Sequence, residues 1–249
     1  MPVWIEAGLW GLLAGGALVI GALIAWFVPV PRPLVSAVMA FGAGVLISAL
    51  SFDLVDDAER GGGLLATTVG FLGGAIAYVG ANVVLARRGA RHRKRSGEEQ
   101  SSEAEQAGSG TAIAVGALLD GVPESVVLGI SLLGGGGVGV PVLAAIFISN
   151  LPEGLSSAAG MKASGRSARY VFGVWTSIAV ASGLAGLLGC LLLEGAPDEL
   201  VAAITAVAAG AILAMVADTM IPEAFERTQL YTGLIATVGF ISAFAISRA

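Results

Sequence analysis

Charge is what this sequence has least of. Charged residues fill 12% of its 249 positions and apolar residues 56%, and the mean hydropathy is +0.87. A soluble domain carries about 25% charged residues, so a water-soluble globular chain is excluded. Cysteine and histidine each occur once, as Cys190 and His92. That excludes an internal disulfide and any cysteine- or histidine-rich metal centre. Lysine and arginine are absent from the interior of every long apolar run, so no basic residue within a run is available to neutralise an acid at the same depth.

What is present is a series of apolar runs. Eight can be marked off, at 7–28, 34–55, 63–86, 111–133, 140–161, 170–193, 199–221 and 231–247. Together they use most of the chain and leave no room for a soluble domain. About 20 apolar residues suffice to cross a bilayer, and a helix satisfies its own backbone there. The expected fold is therefore an all-α membrane protein, a single transmembrane domain over 1–249 with eight transmembrane helices, in the cell membrane. The first run lacks the basic segment of a signal peptide and is expected to remain as a helix. Pro29, Pro31 and Pro33 end it, and Gly134 to Gly137 supply a turn between the fourth and fifth runs. Pairs such as Gly15–Gly16 and Gly73–Gly74 permit close helix approach.

Orientation follows from the basic residues. With both termini outside, Arg32, then Arg87, Arg88, Arg91, Arg93, Lys94 and Arg95, then Lys162, Arg166 and Arg169, then Arg227 all fall in the cytoplasm, leaving Arg60 and Arg248 outside. The reverse would violate the positive-inside rule almost throughout. The stretch 87–110 is basic at first and then rich in Glu, Ser and Gln, which predicts a disordered cytoplasmic loop held at the anionic inner leaflet. Metal sensing by this loop would rest on His92 alone, and the basic run is too short to argue for nucleic acid as a partner.

Three acids lie deep in apolar runs: Asp120, Glu124 and Glu153. Each would cost about 2.5–3.5 kcal/mol at the centre of a membrane helix, or on the order of 8–10 kcal/mol for the three if they faced lipid. They must face the bundle interior, where protons or a bound cation offset the cost. Asp120 and Glu124 stand at i, i+4 and share a helix face; Asn150 and Glu153 stand at i, i+3, and Ser149 and Glu153 at i, i+4. Pro123 and Pro152 each precede a glutamate, and each frees a carbonyl, of Leu119 and Ile148. Kinked helices with free carbonyls beside acids are a common way to build an ion site in a membrane. The plainer reading is two proline kinks with protonated acids bonded to nearby backbone. Near the run ends stand Asp53, outer, and Asp218 and Glu223, inner; in a transporter these would line the cation's path. Acids near helix ends also reach water.

These residues resemble the ZIP (Zrt/Irt-like protein) family of metal transporters. The segments Asp120-Gly121-Val122-Pro123-Glu124-Ser125 and Ser149-Asn150-Leu151-Pro152-Glu153-Gly154 stand where that family carries His-Asn-x-Pro-Glu-Gly-like motifs. The second run (Ala40 to Leu46, then Ser51-Phe52-Asp53-Leu54) and the seventh (Ile221-Pro222-Glu223-Ala224) are similar to it as well. The resemblance implies eight spans in a ZIP-like bundle and a metal site in the fourth and fifth. Here the motif histidines are replaced by Asp120 and Ser149, the first asparagine by Gly121, and a sixth-span glutamate by Gly186. One metal is then expected rather than two.

The expected function is transport of a divalent cation into the cytoplasm, with Asp120, Glu124, Glu153, Asn150 and Ser149 as ligands and Asp53, Asp218 and Glu223 along the path. The metal is substrate, and no cofactor is expected. Zinc comes first by resemblance; an all-oxygen ligand set brings manganese or iron close behind. The partners are the ion and the lipid bilayer, with a homodimer left open. A non-transporting relative of the same fold is the alternative. An aspartyl hydrolase using Asp53 and Asp218 is not expected, since they fall near opposite membrane faces.

Overall fold

The computed structural model of the protein describes residues 1–133 and 139–248; the glycine turn expected at 134–137 lies outside them. Helix is the only regular structure among the described residues. In chain order it comprises α1 (Val3–Phe27), α2 (Arg32–Ala49), α3 (Val55–Leu85), α4 (Ser109–Ile130), α5 (Val140–Ala163), α6 (Ala168–Leu193), α7 (Asp198–Met215), α8 (Ile221–Thr228) and α9 (Thr232–Ser247). Wider π-helical turns at Leu50–Leu54, Ala86–Ala90 and Val216–Met220 join α2 to α3, extend α3, and join α7 to α8.

Among the described residues, six continuous helical stretches are long and apolar enough to cross a membrane. Two of them, Arg32–Ala90 and Asp198–Ser247, run 59 and 50 residues. Straight helices of those lengths would reach roughly 90 and 75 Å, against a hydrocarbon core of about 30 Å. Neither is straight. The first breaks at Gly63 (φ 72°, ψ 168°), a conformation essentially confined to glycine. The second breaks at Gln229 (φ 41°, ψ −110°). Beyond its break α3 lies along α7, where a Cβ on Gly74 would strike the Val207 backbone; α2 lies along α9, where one on Gly44 would strike Ala236.

The long helices are apolar on most of their faces, and that decides where each face goes. Large aliphatic side chains stand outward, including Leu64, Leu65, Val69, Leu72 and Ile76 on α3 and Leu234, Val238 and Ile241 on α9. A soluble bundle would present polar residues there. Inside are two main apolar clusters. One gathers Met39, Leu46, Leu128, Ile146, Met215 and Met220; the other gathers Leu18, Ile113, Leu155, Met161, Trp175 and Ile178. Both α4 and α5 contribute to each cluster, and their acids fall in the stretch between.

The stretch 87–110 departs from the expectation of disorder. It is folded against one end of the bundle, with Arg93, Lys94, Ser96 and Gln100 buried. Gly89 (φ 99°) and Gly108 (φ 83°) turn the chain at its two ends. The Glu103 carboxylate accepts hydrogen bonds from the backbone of Gly108 (2.7 Å) and Gly110 (2.8 Å) and from Arg166 (3.1 Å). Those bonds, Gly110's foremost, hold its carboxyl below the usual range for glutamate. This packing is why the loop does not behave as its polar composition suggests: its buried groups have partners waiting on α4, α5 and α8.

Candidate cation site

Asp120 and Glu124 on α4 and Glu153 on α5 are all buried at the junction of the two clusters. Both helices continue through their prolines, Pro123 and Pro152. The two helices scarcely touch each other: α4 packs chiefly on α6, and α5 on α1 and α2. Close approach of α5 to α1 comes from Gly154, where any Cβ would strike the Leu18 backbone. The gap between α4 and α5 is filled by two side chains from the folded loop.

Arg93 donates from Nε to Asp120 Oδ2 (2.9 Å) and from an η nitrogen to Oδ1 (2.8 Å). This is the two-pronged geometry that makes guanidinium–carboxylate pairs strong. The Tyr78 hydroxyl donates to Asp120 Oδ1 (2.6 Å) and accepts from Arg93 (2.8 Å). Asn82 Oδ1 accepts from the other η nitrogen at 2.7 Å. Lys94 Nζ lies 2.7 Å from Glu153 Oε2 and 3.4 Å from Asp120 Oδ2. Burial by itself would push the Arg93 guanidinium down; Asp120 first, with Tyr78 and Glu153, together outweigh it, and the net shift is upward. Arg93 therefore stays charged.

This corrects the expectation that protons or a bound cation are what offset the burial of the acids. No basic group reaches them from within a helix, but two do from the loop. The carboxylates are spaced around them: among the described residues, no three His, Cys, Asp or Glu side chains converge to hold one ion. Glu124 is the exception to the pairing. Its Oε1 is buried without a hydrogen-bond partner, with Glu153, Lys94 and Asp120 as its charged neighbours.

The other two expected ligands each donate one hydrogen bond to a backbone carbonyl. Asn150 donates its amide to the Ala14 carbonyl on α1 (3.0 Å). Ser149 donates to the Ile146 carbonyl of its own helix (3.0 Å). The structure therefore buries Asp120, Glu124 and Glu153 at one junction, spaced around Arg93 and Lys94 rather than converged on one point, and ties the Asn150 amide nitrogen and the Ser149 hydroxyl to backbone carbonyls.

The path residues divide likewise. Asp53 sits in the first π turn, accepting from Ser247 (2.8 Å); the next residue, Leu54, and Asp57 line a cavity of about 530 Å³ whose walls also include Glu194 and Asp198. The cavity's inner lining includes Val127, one turn beyond Glu124. Asp218, in the third π turn, lies 3.5 Å from Asn82 Nδ2. It opens on a smaller cavity of about 240 Å³ lined also by Arg91, Lys94 and Arg95. Single π turns recur at functional sites because they re-aim one side chain. Glu223 is buried as an anchor for the loop: its Oε1 accepts from Ser96 N (3.2 Å) and Ser96 Oγ (2.6 Å) and lies 3.0 Å from Ser156 Oγ.

Tyr78, Asn82 and Ser156 are not singled out from the sequence, and Arg93 and Lys94 read there only as orienting charges. Tyr78 and Asn82 carried a signal: they stand at i, i+4 as the polar pair in the second half of an otherwise apolar run. The loop pair carried none, because the carboxylates nearest to Arg93 and Lys94 lie 27 and 59 positions away in sequence, and only packing joins them. No protein-family model matches this chain, and no curated protein matches it significantly.

Proposed function

We propose that this protein carries a divalent metal cation across a membrane, through a site made by Asp120, Glu124 and Glu153. The observation that carries the reading is three acids buried together on two apolar helices, one of them, Glu124, with an unpartnered oxygen. Burying acids at that depth is expensive and points to function by default. The flanking cavities add support: an acidic one ends a turn from Glu124, and another reaches Lys94. In this reading the breaks at Gly63 and Gln229 turn six helical stretches into eight crossings, both termini are outside, and the chain is ZIP-like. The cation enters past Asp57 and Asp53, loses water, is held by the three carboxylates, and leaves toward Asp218 as one helix group rocks against another. An all-oxygen set suits manganese or ferrous iron; the ZIP resemblance puts zinc first.

One observation favours a second reading. Arg93 and Lys94 already neutralise Asp120 and Glu153, as a non-transporting relative of the same fold would require. Uptake of zinc and manganese into proteoliposomes separates the two. Transport by the parent chain, with loss in a Glu124→Ala, Glu153→Ala variant, supports the first. Equal uptake by parent and variant overturns it.

A further inference from the structure

The basic stretch is built into the bundle in a way that a merely solvated loop is not. Two helix glycines make room for it. On α4, a Cβ at Gly116 would stand 2.6 Å from Arg93 Cδ. On α5, a Cβ at Gly160 would strike the Arg95 carbonyl and the Gln100 amide. Gln100 Nε2 lies within 3.0 Å of the carbonyls of Arg93, Arg95 and Ser157. Ser156, one turn from Glu153, meets the Lys94 carbonyl at 2.6 Å. These anchors fix the backbone on either side of Lys94, so both cationic heads are presented to the carboxylates.

The charges match what the site would otherwise take. Arg93 and Lys94 together bring two positive charges to Asp120 and Glu153; one divalent ion brings the same two. Exchange of the pair for the ion leaves the net charge of the site unchanged. Glu124 Oε1, unpartnered with the loop in place, is the acceptor the ion would gain. With the loop out, its basic side chains would lie near the membrane surface, where anionic headgroups attract them.

We propose that residues 91–100 are an intramolecular plug: Arg93 and Lys94 occupy the carboxylate site in the cation's place, so that loop docking and cation binding exclude one another. This rests on the reading of Asp120, Glu124 and Glu153 as a cation site. A competitor tethered to its own site lowers apparent affinity by the fraction of time the site is free. A loop docked about nine-tenths of the time weakens binding about tenfold.

The test uses the full chain in lipid nanodiscs and Mn²⁺ as the probe. Three proteins are compared: the parent, R93Q/K94Q, and G160A, which crowds the loop and leaves every charge in place. Both variants should bind Mn²⁺ at least tenfold more tightly than the parent. In the parent, Mn²⁺ should speed amide hydrogen exchange over 93–100. Equal affinity in all three, with exchange over 93–100 unmoved by Mn²⁺, overturns the plug and leaves the cation site standing. Failure of all three to bind Mn²⁺ or Zn²⁺ overturns the cation reading itself.

Discussion

The Arg93–Asp120 pair makes the sharpest stability prediction. Both side chains are buried, and Asp120 accepts hydrogen bonds at 2.6, 2.8 and 2.9 Å from Tyr78 and Arg93. Removing one partner of such a pair leaves the other charge uncompensated, at a cost of about 3–5 kcal/mol. R93Q and D120N should each lose that much. The double variant R93Q/D120N buries two neutral amides that can still bond each other, Tyr78 and Asn82. Its loss should fall short of the sum of the singles by about 2 kcal/mol or more. The assay is denaturation of the four proteins in mixed micelles, followed by tryptophan fluorescence. Losses that add to within about 0.5 kcal/mol would refute direct pairing. So would singles that cost nothing, since an unpaired charge at that burial cannot be free of penalty.

Other outcomes follow from the same geometry. Y78F removes a hydroxyl that bonds both members of the pair and should cost about 1.5–3 kcal/mol, the range for hydrogen bonds to charged groups, in the same denaturation assay. Glu103 has a folded-state pKa below its ordinary value of about 4.3. Its contribution to ordering the start of α4 is thus complete above that ordinary value and is lost as pH falls through the lower folded one. Amide exchange at Gly108 and Gly110 should quicken over that acid window in the parent, and E103Q should abolish the pH dependence. G154L places a branched side chain against the Leu18 backbone; overpacking of this kind costs about 1–3 kcal/mol or more, and a variant as stable as the parent would refute close α1–α5 contact.

Much of the architecture is legible in the sequence. Apolar runs with almost no internal charge leave helices in a membrane as the solution, because only a helix or a closed barrel satisfies its own backbone in hydrocarbon. Spacing alone put Asp120 and Glu124 on one face, and the scarcity of buried acids in apolar helices marked them and Glu153 as a cluster. Helix periodicity is local, so these inferences needed no tertiary information.

What the tertiary structure decided is what neutralises those acids. A loop of mostly polar residues reads as solvated, because sequence records composition and not the partners that will meet it. Arg93 reaches Asp120 across 27 positions and Lys94 reaches Glu153 across 59. No periodicity encodes such distances; they exist only because Gly116 and Gly160 leave space and because Ser156, Gln100 and Glu223 hold the loop backbone in it. The same holds for Asn150, whose amide nitrogen donates to the Ala14 carbonyl 136 positions away, whereas the Ser149 bond to the Ile146 carbonyl is local to its own helix. Residue type and spacing determined which groups must be buried, and long-range packing chose their partners.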